Sequence, residues 1–223
     1  MSKEYTRNVY LLGHIPIAGP IVYHDIFDTP LQWAEVGTGG DTIFELDPSI
    51  SLIGSQSLHM KTRTASAAKD DFILAEKKLF ILPSKILSMM GHFYLPSLTT
   101  FSMLLFKFEW HFASKVYEVR IAYRPFIHNA WSFYNSGQTY ENISGSTALL
   151  AAAGWHRFIL KANLISGYYD SLQIDHETFD LSDQAISYPS STSKDHLLTH
   201  MMLETADAAP AEVYLDGITI FEL

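Results

Sequence analysis

The residues able to carry chemistry fall into four groups. Glu109 stands between Lys107 and His111, and Glu118 lies two residues before Arg120, with Arg124 beyond it. At a period of two, each trio shares one face of a strand. This is the material either for acid–base work or for a ladder of mutually paired charges, and the paired ladder needs fewer assumptions. Trp131, Tyr134 and Tyr140 follow, and together with Arg120, Arg124, Glu109 and His111 they make the ring-and-polar set that a sugar groove requires. The same rings would serve equally to cover a sheet edge or a subunit contact. Asp25, Asp28 and Asp216 form a third group, because carboxylates on the first and last strands of a sandwich can meet, and calcium takes oxygen ligands. Asp at a bulge or turn needs no metal, however, so calcium is a candidate here and the only cofactor suggested. His196 and His200 have the i, i+4 spacing that chelates on a helix. On a strand the same spacing sets them roughly 13 Å apart, and LLTHMMLET reads as a strand.

Other chemistries are excluded by what is missing. The chain has no cysteine, which removes disulfides and thiolate ligands or nucleophiles. Phosphate-binding glycine loops and a G-x-S-x-G elbow are absent as well. The net charge is −9, with 24 acidic against 15 basic residues and no basic run, so nucleic acid is not an expected partner. No window reaches the roughly 18 apolar residues of a membrane span. If Met1 is the natural start, the broken apolar pieces before Pro20 do not make a signal peptide, and cytosolic synthesis is expected.

Strands must position these residues. In residues 155–164 the even positions His156, Phe158, Leu160, Ala162 and Leu164 face one way, whereas Arg157, Lys161 and Asn163 face the other. Residues 168–175, 196–205 and 212–223 read likewise, and in the last the apolar phase shifts from Val213 and Leu215 to Ile218 and Ile220. A bulge at Asp216-Gly217 is the expected cause. Trp33 and Trp155 are expected in the core. The segment 25–46 holds three short strands, residues 72–81 and 86–95 one each, and residues 149–153 a single helical turn. Residues 101–112 and 116–124 form a hairpin turning at Ser114-Lys115, and pairing Ala113 with Val116 sets Glu109 opposite Arg120 and His111 opposite Glu118. Residues 131–134 and 138–142 form a small polar hairpin with exposed rings. Residues 1–20 are an arm for a sheet edge or a neighbouring subunit, a route to a homo-oligomer, and residues 21–223 are one domain.

This is an all-β chain, expected to be an antiparallel two-sheet sandwich. DIFDTPLQW, GSQSLHMKTRT, GWHRFILKANLISGYYDSLQID and AEVYLDGITIFEL, in that order, resemble the concanavalin A-like jelly-roll group, which includes lectins, glucanases and laminin G-like domains. The resemblance implies a jelly roll and a glycan partner. In its glucanase branch a strand carries two carboxylates at alternating positions and a further Glu, with the two carboxyls about 5.5 Å apart. Neither Glu109 nor Glu118 sits in such an array. The expected function is therefore non-catalytic, either carbohydrate recognition or a structural component of a particle, with a carbohydrate-active enzyme using a non-standard site as the alternative.

Overall fold

The computed structural model describes residues 20–38, 41–63, 68–80, 86–146, 153–193, 195–206 and 209–223. One sheet holds β1 (Ile21–Asp25), β3 (Ile43–Asp47), β4 (Ser57–Lys61), β6 (Ile86–Tyr94), β11 (Trp155–Asn163), β12 (Tyr168–Ile174), β13 (Glu177–Asp180) and β15 (Glu212–Glu222). The second holds β2 (Ala34–Gly37), β5 (Phe72–Leu79), β7 (Phe101–Phe112), β8 (Lys115–Arg124), β9 (Ala130–Tyr134), β10 (Tyr140–Asn142) and β14 (His196–Thr205). Every pairing is antiparallel. The first sheet runs β13-β12-β11-β6-β15-β4-β3 with β1 also on β15, and the second runs β10-β9-β8-β7-β14-β5-β2. The arm expected over residues 1–20 and most of the helical turn at 149–153 lie outside the described residues.

The core lies between the inward faces, as alternation dictates. Phe158, Leu160, Ala162 and Leu164 from β11 and its end meet Leu104, Phe106 and Phe108 from β7. Phe106 and Phe158 stack with their centroids 3.9 Å apart, and both are fully buried. Trp33 is in this core as expected. Trp155 is not: it is half-buried on the opposite face of β11, where its odd position places it, beside Tyr94.

The bulge in β15 is present. The register against β6 shifts between Asp216 and Thr219, and Gly217 supplies a φ of 58°. Val213 and Leu215 therefore face the core before it, and Ile218 and Ile220 after it. Gly91 in β6 leaves room for the shifted strand, since a Cβ there would collide with Ile218 Cδ1. Beyond the bulge β15 pairs with β1, which joins the two terminal strands.

Two expectations are corrected. Of the three strands expected in residues 25–46, only β2 and β3 follow Asp25. Residues 26–33 instead form a turn around that carboxylate, which accepts from Phe27 N at 2.8 Å and Trp33 Nε1 at 3.0 Å. The second correction is the β7–β8 register. Glu109 lies opposite Glu118 and Lys107 opposite Arg120. The turn sets this: Phe112 pairs with Lys115, leaving Ala113 and Ser114 as a two-residue loop with φ of 50° and 62°, the primed type whose twist suits a hairpin. Like charges face each other across the strands because each finds its partner along its own strand, Lys107 with Glu109 and Arg120 with Glu118.

Candidate functional site

The register just described places one row of side chains straight across the outward face of the second sheet. Tyr140 in β10 is opposite Tyr134 in β9. The guanidinium of Arg120 lies 4.4 Å from the Tyr134 ring centroid, Arg120 is opposite Lys107, Lys107 is opposite His200, and His200 is opposite Glu76. Six strands thus contribute one side chain each. At about 4.8 Å between strands the row is roughly 24 Å long. Arg124 covers the other end of the tyrosine pair, 5.5 Å from the Tyr140 centroid.

A second row runs beside it. Glu109 and Glu118 both approach Arg120, Glu109 at 3.8 Å and Glu118 in direct contact. His111 stacks on His196 with ring centroids 4.1 Å apart. Ser191 Oγ accepts from Ser193 N at 3.1 Å, so its own hydrogen is available for His111 Nδ1, also at 3.1 Å. His111 Nε2 is 3.6 Å from Glu109 Oε2, close but beyond hydrogen-bond range.

The site is held from behind by Tyr169 of β12, which reaches across from the first sheet. Its hydroxyl accepts from Arg120 N at 3.0 Å and donates to Tyr134 O at 2.8 Å, tying the two strands that carry the arginine and the tyrosine. Burial raises the Tyr169 hydroxyl well above the ordinary range, so it stays a donor.

The electrostatics are those of a crowded, partly desolvated face. Burial lowers His200, with the Lys107 charge adding to it and the Glu76 hydrogen bond at 2.9 Å opposing. Burial likewise lowers His111, helped by His196. Both imidazoles are therefore neutral near pH 7 and able to accept a proton. Burial raises Glu109, but Lys107, His200 and Arg120 outweigh it and hold the carboxyl below its usual range. A group so held is a poor proton donor. Burial would lower Arg120, yet Glu118, Tyr140 and Glu109 together raise it.

Of the residues singled out from the sequence, Glu109, His111, Arg120, Arg124, Tyr134 and Tyr140 come together on this face. Trp131 does not. It is fully buried against Phe93, Phe106 and Tyr123, because Trp131 and Phe133 alternate with Ser132 and Tyr134 and take the inward side of β9. The β9–β10 hairpin forms, but of its expected exposed rings only the tyrosines lie on the polar face. His196 and His200 lie on β14, a strand as expected. Sequence reasoning missed that β14 sits beside β7, which brings His200, Lys107 and Glu76 into the row.

The calcium set of Asp25, Asp28 and Asp216 is not assembled. Asp25 is taken by Tyr23, Phe27 and Trp33, Asp28 by Ser55 N at 2.7 Å and Ser55 Oγ at 2.9 Å, and Asp216 Oδ2 by Leu52 N and Ile53 N, both at 2.8 Å. Among the described residues no three His, Asp or Glu side chains are grouped so as to hold a metal ion, and no helix is long and apolar enough to cross a membrane.

No protein-family model matches the chain, and no curated protein matches it in sequence. Solved structures do match in fold. The endo-β-1,4-glucuronan lyase of the fungus Trichoderma reesei superposes with a TM-score of 0.62 at 12% identity, over 92% of this chain and 96% of that one. Cellulose-induced protein Cip1 gives 0.60 at 13% identity, over 90% and 97%. A β-1,3-glucanase of Mycobacterium marinum gives 0.53 at 12% identity, over 92% and 100%. At these identities the likeness is one of architecture: the chain is an all-β jelly-roll sandwich built like those three.

Proposed function

We propose that the protein recognises a polysaccharide, laid along the row Tyr140–Tyr134–Arg120–Lys107–His200–Glu76 on the outward face of the second sheet. The observation that carries this reading is the row itself, with rings at one end and hydrogen-bonding groups of both charges along the rest, long enough for several sugar residues. Half-buried rings take the apolar face of a sugar, and fixed charged groups take its hydroxyls. The fold likeness to a glucuronan lyase and a β-1,3-glucanase supports a carbohydrate ligand.

A second reading, elimination on a uronate-bearing chain, is favoured by the neutral His111 and His200 beside Arg120 and Lys107. A neutral imidazole can take a proton, and a cation can offset the neighbouring carboxylate. The particle-component reading draws on the arm, which the described residues omit apart from Pro20.

A glycan array of neutral and uronate-containing oligosaccharides separates these readings. Wild type is expected to bind at least one of them, and Tyr134→Ala is expected to weaken that binding by about tenfold, the value of one lost ring contact. Binding unchanged in Tyr134→Ala and Tyr140→Ala would refute the assigned face. Release of an ultraviolet-absorbing unsaturated uronate, lost in His200→Gln, would establish the elimination.

A further inference from the structure

The first sheet has an outward face of its own, with a cavity that the row above does not use. Leu52, Ile53, His92, Trp155, Arg157 and Asp175 line about 280 Å³, near the lower end of small-molecule sites. Register builds its floor: Arg157, His92 and Asp216 are opposite one another on β11, β6 and β15. One step along, Trp155, Tyr94 and Tyr214 are aligned in the same way, with Tyr94 5.7 Å from Trp155 and 5.9 Å from Tyr214.

The polar groups here are of two kinds. Arg157 and Asp175 are fixed: Arg157 N donates to Asp175 Oδ1 at 2.8 Å, Arg157 Nη2 to the Asp175 carbonyl at 2.9 Å, and Asp175 Oδ2 pairs with His156 Nδ1 at 2.8 Å. His92 Nδ1 is different. The residue is only 8% exposed, and this nitrogen has no hydrogen-bond partner among the described residues. It lies towards Gly217 of the β15 bulge and is closed to solvent, so His92 serves the floor as ring surface and the cavity's hydrogen-bonding groups are Arg157 and Asp175.

We propose that this cavity binds a single neutral pyranose ring, a second saccharide site on the sheet opposite the first. A pyranose is a disc with apolar faces and a polar edge. The cavity offers Trp155 and, from the loop before β4, Leu52 and Ile53 for the faces, and the Arg157 guanidinium and the Asp175 carboxylate for the hydroxyls. Charge favours a neutral ligand. The Arg157 cation is matched by the Asp175 carboxylate, whose proton is held off by His156 and Arg157 N against the effect of burial. His92 is kept uncharged by burial, and Asp216 beside it, raised by burial to about 6, adds negative charge near pH 7. An anion would meet a carboxylate at the same edge as the guanidinium.

Titration with methyl β-glucopyranoside, followed by Trp fluorescence and amide NMR, tests the site, with glucuronate as the charged comparison. The other three tryptophans are core residues, so the emission that responds should be that of Trp155. Wild type is expected to bind the pyranoside at roughly millimolar concentration, as suits a single ring. Trp155→Ala and Arg157→Gln are each expected to weaken it tenfold or more. Tyr134→Ala, on the other sheet, is expected to leave it unchanged, so the two sites fail separately. Arg157→Gln with retained melting behaviour covers the case in which Trp155→Ala does not fold. The proposal is overturned if no shift appears near Trp155 and His92, if only glucuronate binds, or if both variants bind as wild type does.

Discussion

At the scale of single residues, His92 and Asp216 make a coupled test of the structure. They face each other across β6 and β15, and burial acts on them in opposite senses. It lowers His92 from 6.5 to about 4 and raises Asp216 from 3.8 to about 6, the latter despite the amide hydrogens of Ile53 and Leu52. For His92 the unfolded chain holds the extra proton between the two values, so its contribution to stability is full above pH 6.5 and is lost as pH falls towards 4. For Asp216 the folded chain holds the extra proton, so its contribution is full below 3.8 and is lost as pH rises towards 6. Across pH 4 to 6.5 the two nearly cancel, and wild type should show little slope from this pair. Asp216→Asn should expose the His92 slope, losing up to ~3 kcal/mol as pH falls through that window, and His92→Gln should show the reverse trend. Urea midpoints measured across the window check this, and parallel curves for wild type and both variants would contradict it.

At the scale of elements, the β7–β8 turn fixes the order of the site. Ala113 and Ser114 both occupy left-handed backbone, which costs a non-glycine residue about 1 kcal/mol. Replacing the pair by Asn-Gly should raise stability by about 1 kcal/mol with Lys107 still opposite Arg120, and a lowered denaturation midpoint would count against this account. The same turn shows where the sequence was legible and where it was not. Alternation in residues 155–164 and 101–112 gave the faces of β11 and β7 directly, and the phase shift around Asp216-Gly217 located the bulge. Register was another matter, because charge pairing across strands and along them predict different alignments, and only the backbone angles of Ala113 and Ser114 decide between them. Trp131 was legible in principle: Ser132 between Trp131 and Phe133 marks which side is large and inward. The neighbours of β14 were not legible, since nothing in LLTHMMLET says that it lies between β7 and β5, and with that went half of the row.

At the scale of the whole molecule, both sheets are completed from the C-terminal end of the sequence. β14 lies between β7 and β5, and β15 lies against β6 on one side and β4 and β1 on the other. A chain ending after Ala206 keeps eleven of the fourteen described strands that precede β15 paired as before; β4 and β6 each lose one partner and β1 loses β15, which opens the first sheet down its middle. It should be digested rapidly by a nonspecific protease under conditions where the full chain is intact, and resistance equal to that of the full chain would argue that β15 is dispensable. The placement also bears on how the molecule is made. While the ribosome is still adding residues 196–222, the earlier strands have no central partner to condense around, and they leave the exit tunnel as unclosed half-layers with apolar faces bare. Synthesis of this protein should therefore lean on holding chaperones until β14 and β15 emerge, and codons that slow translation before their emergence would lengthen the interval of risk.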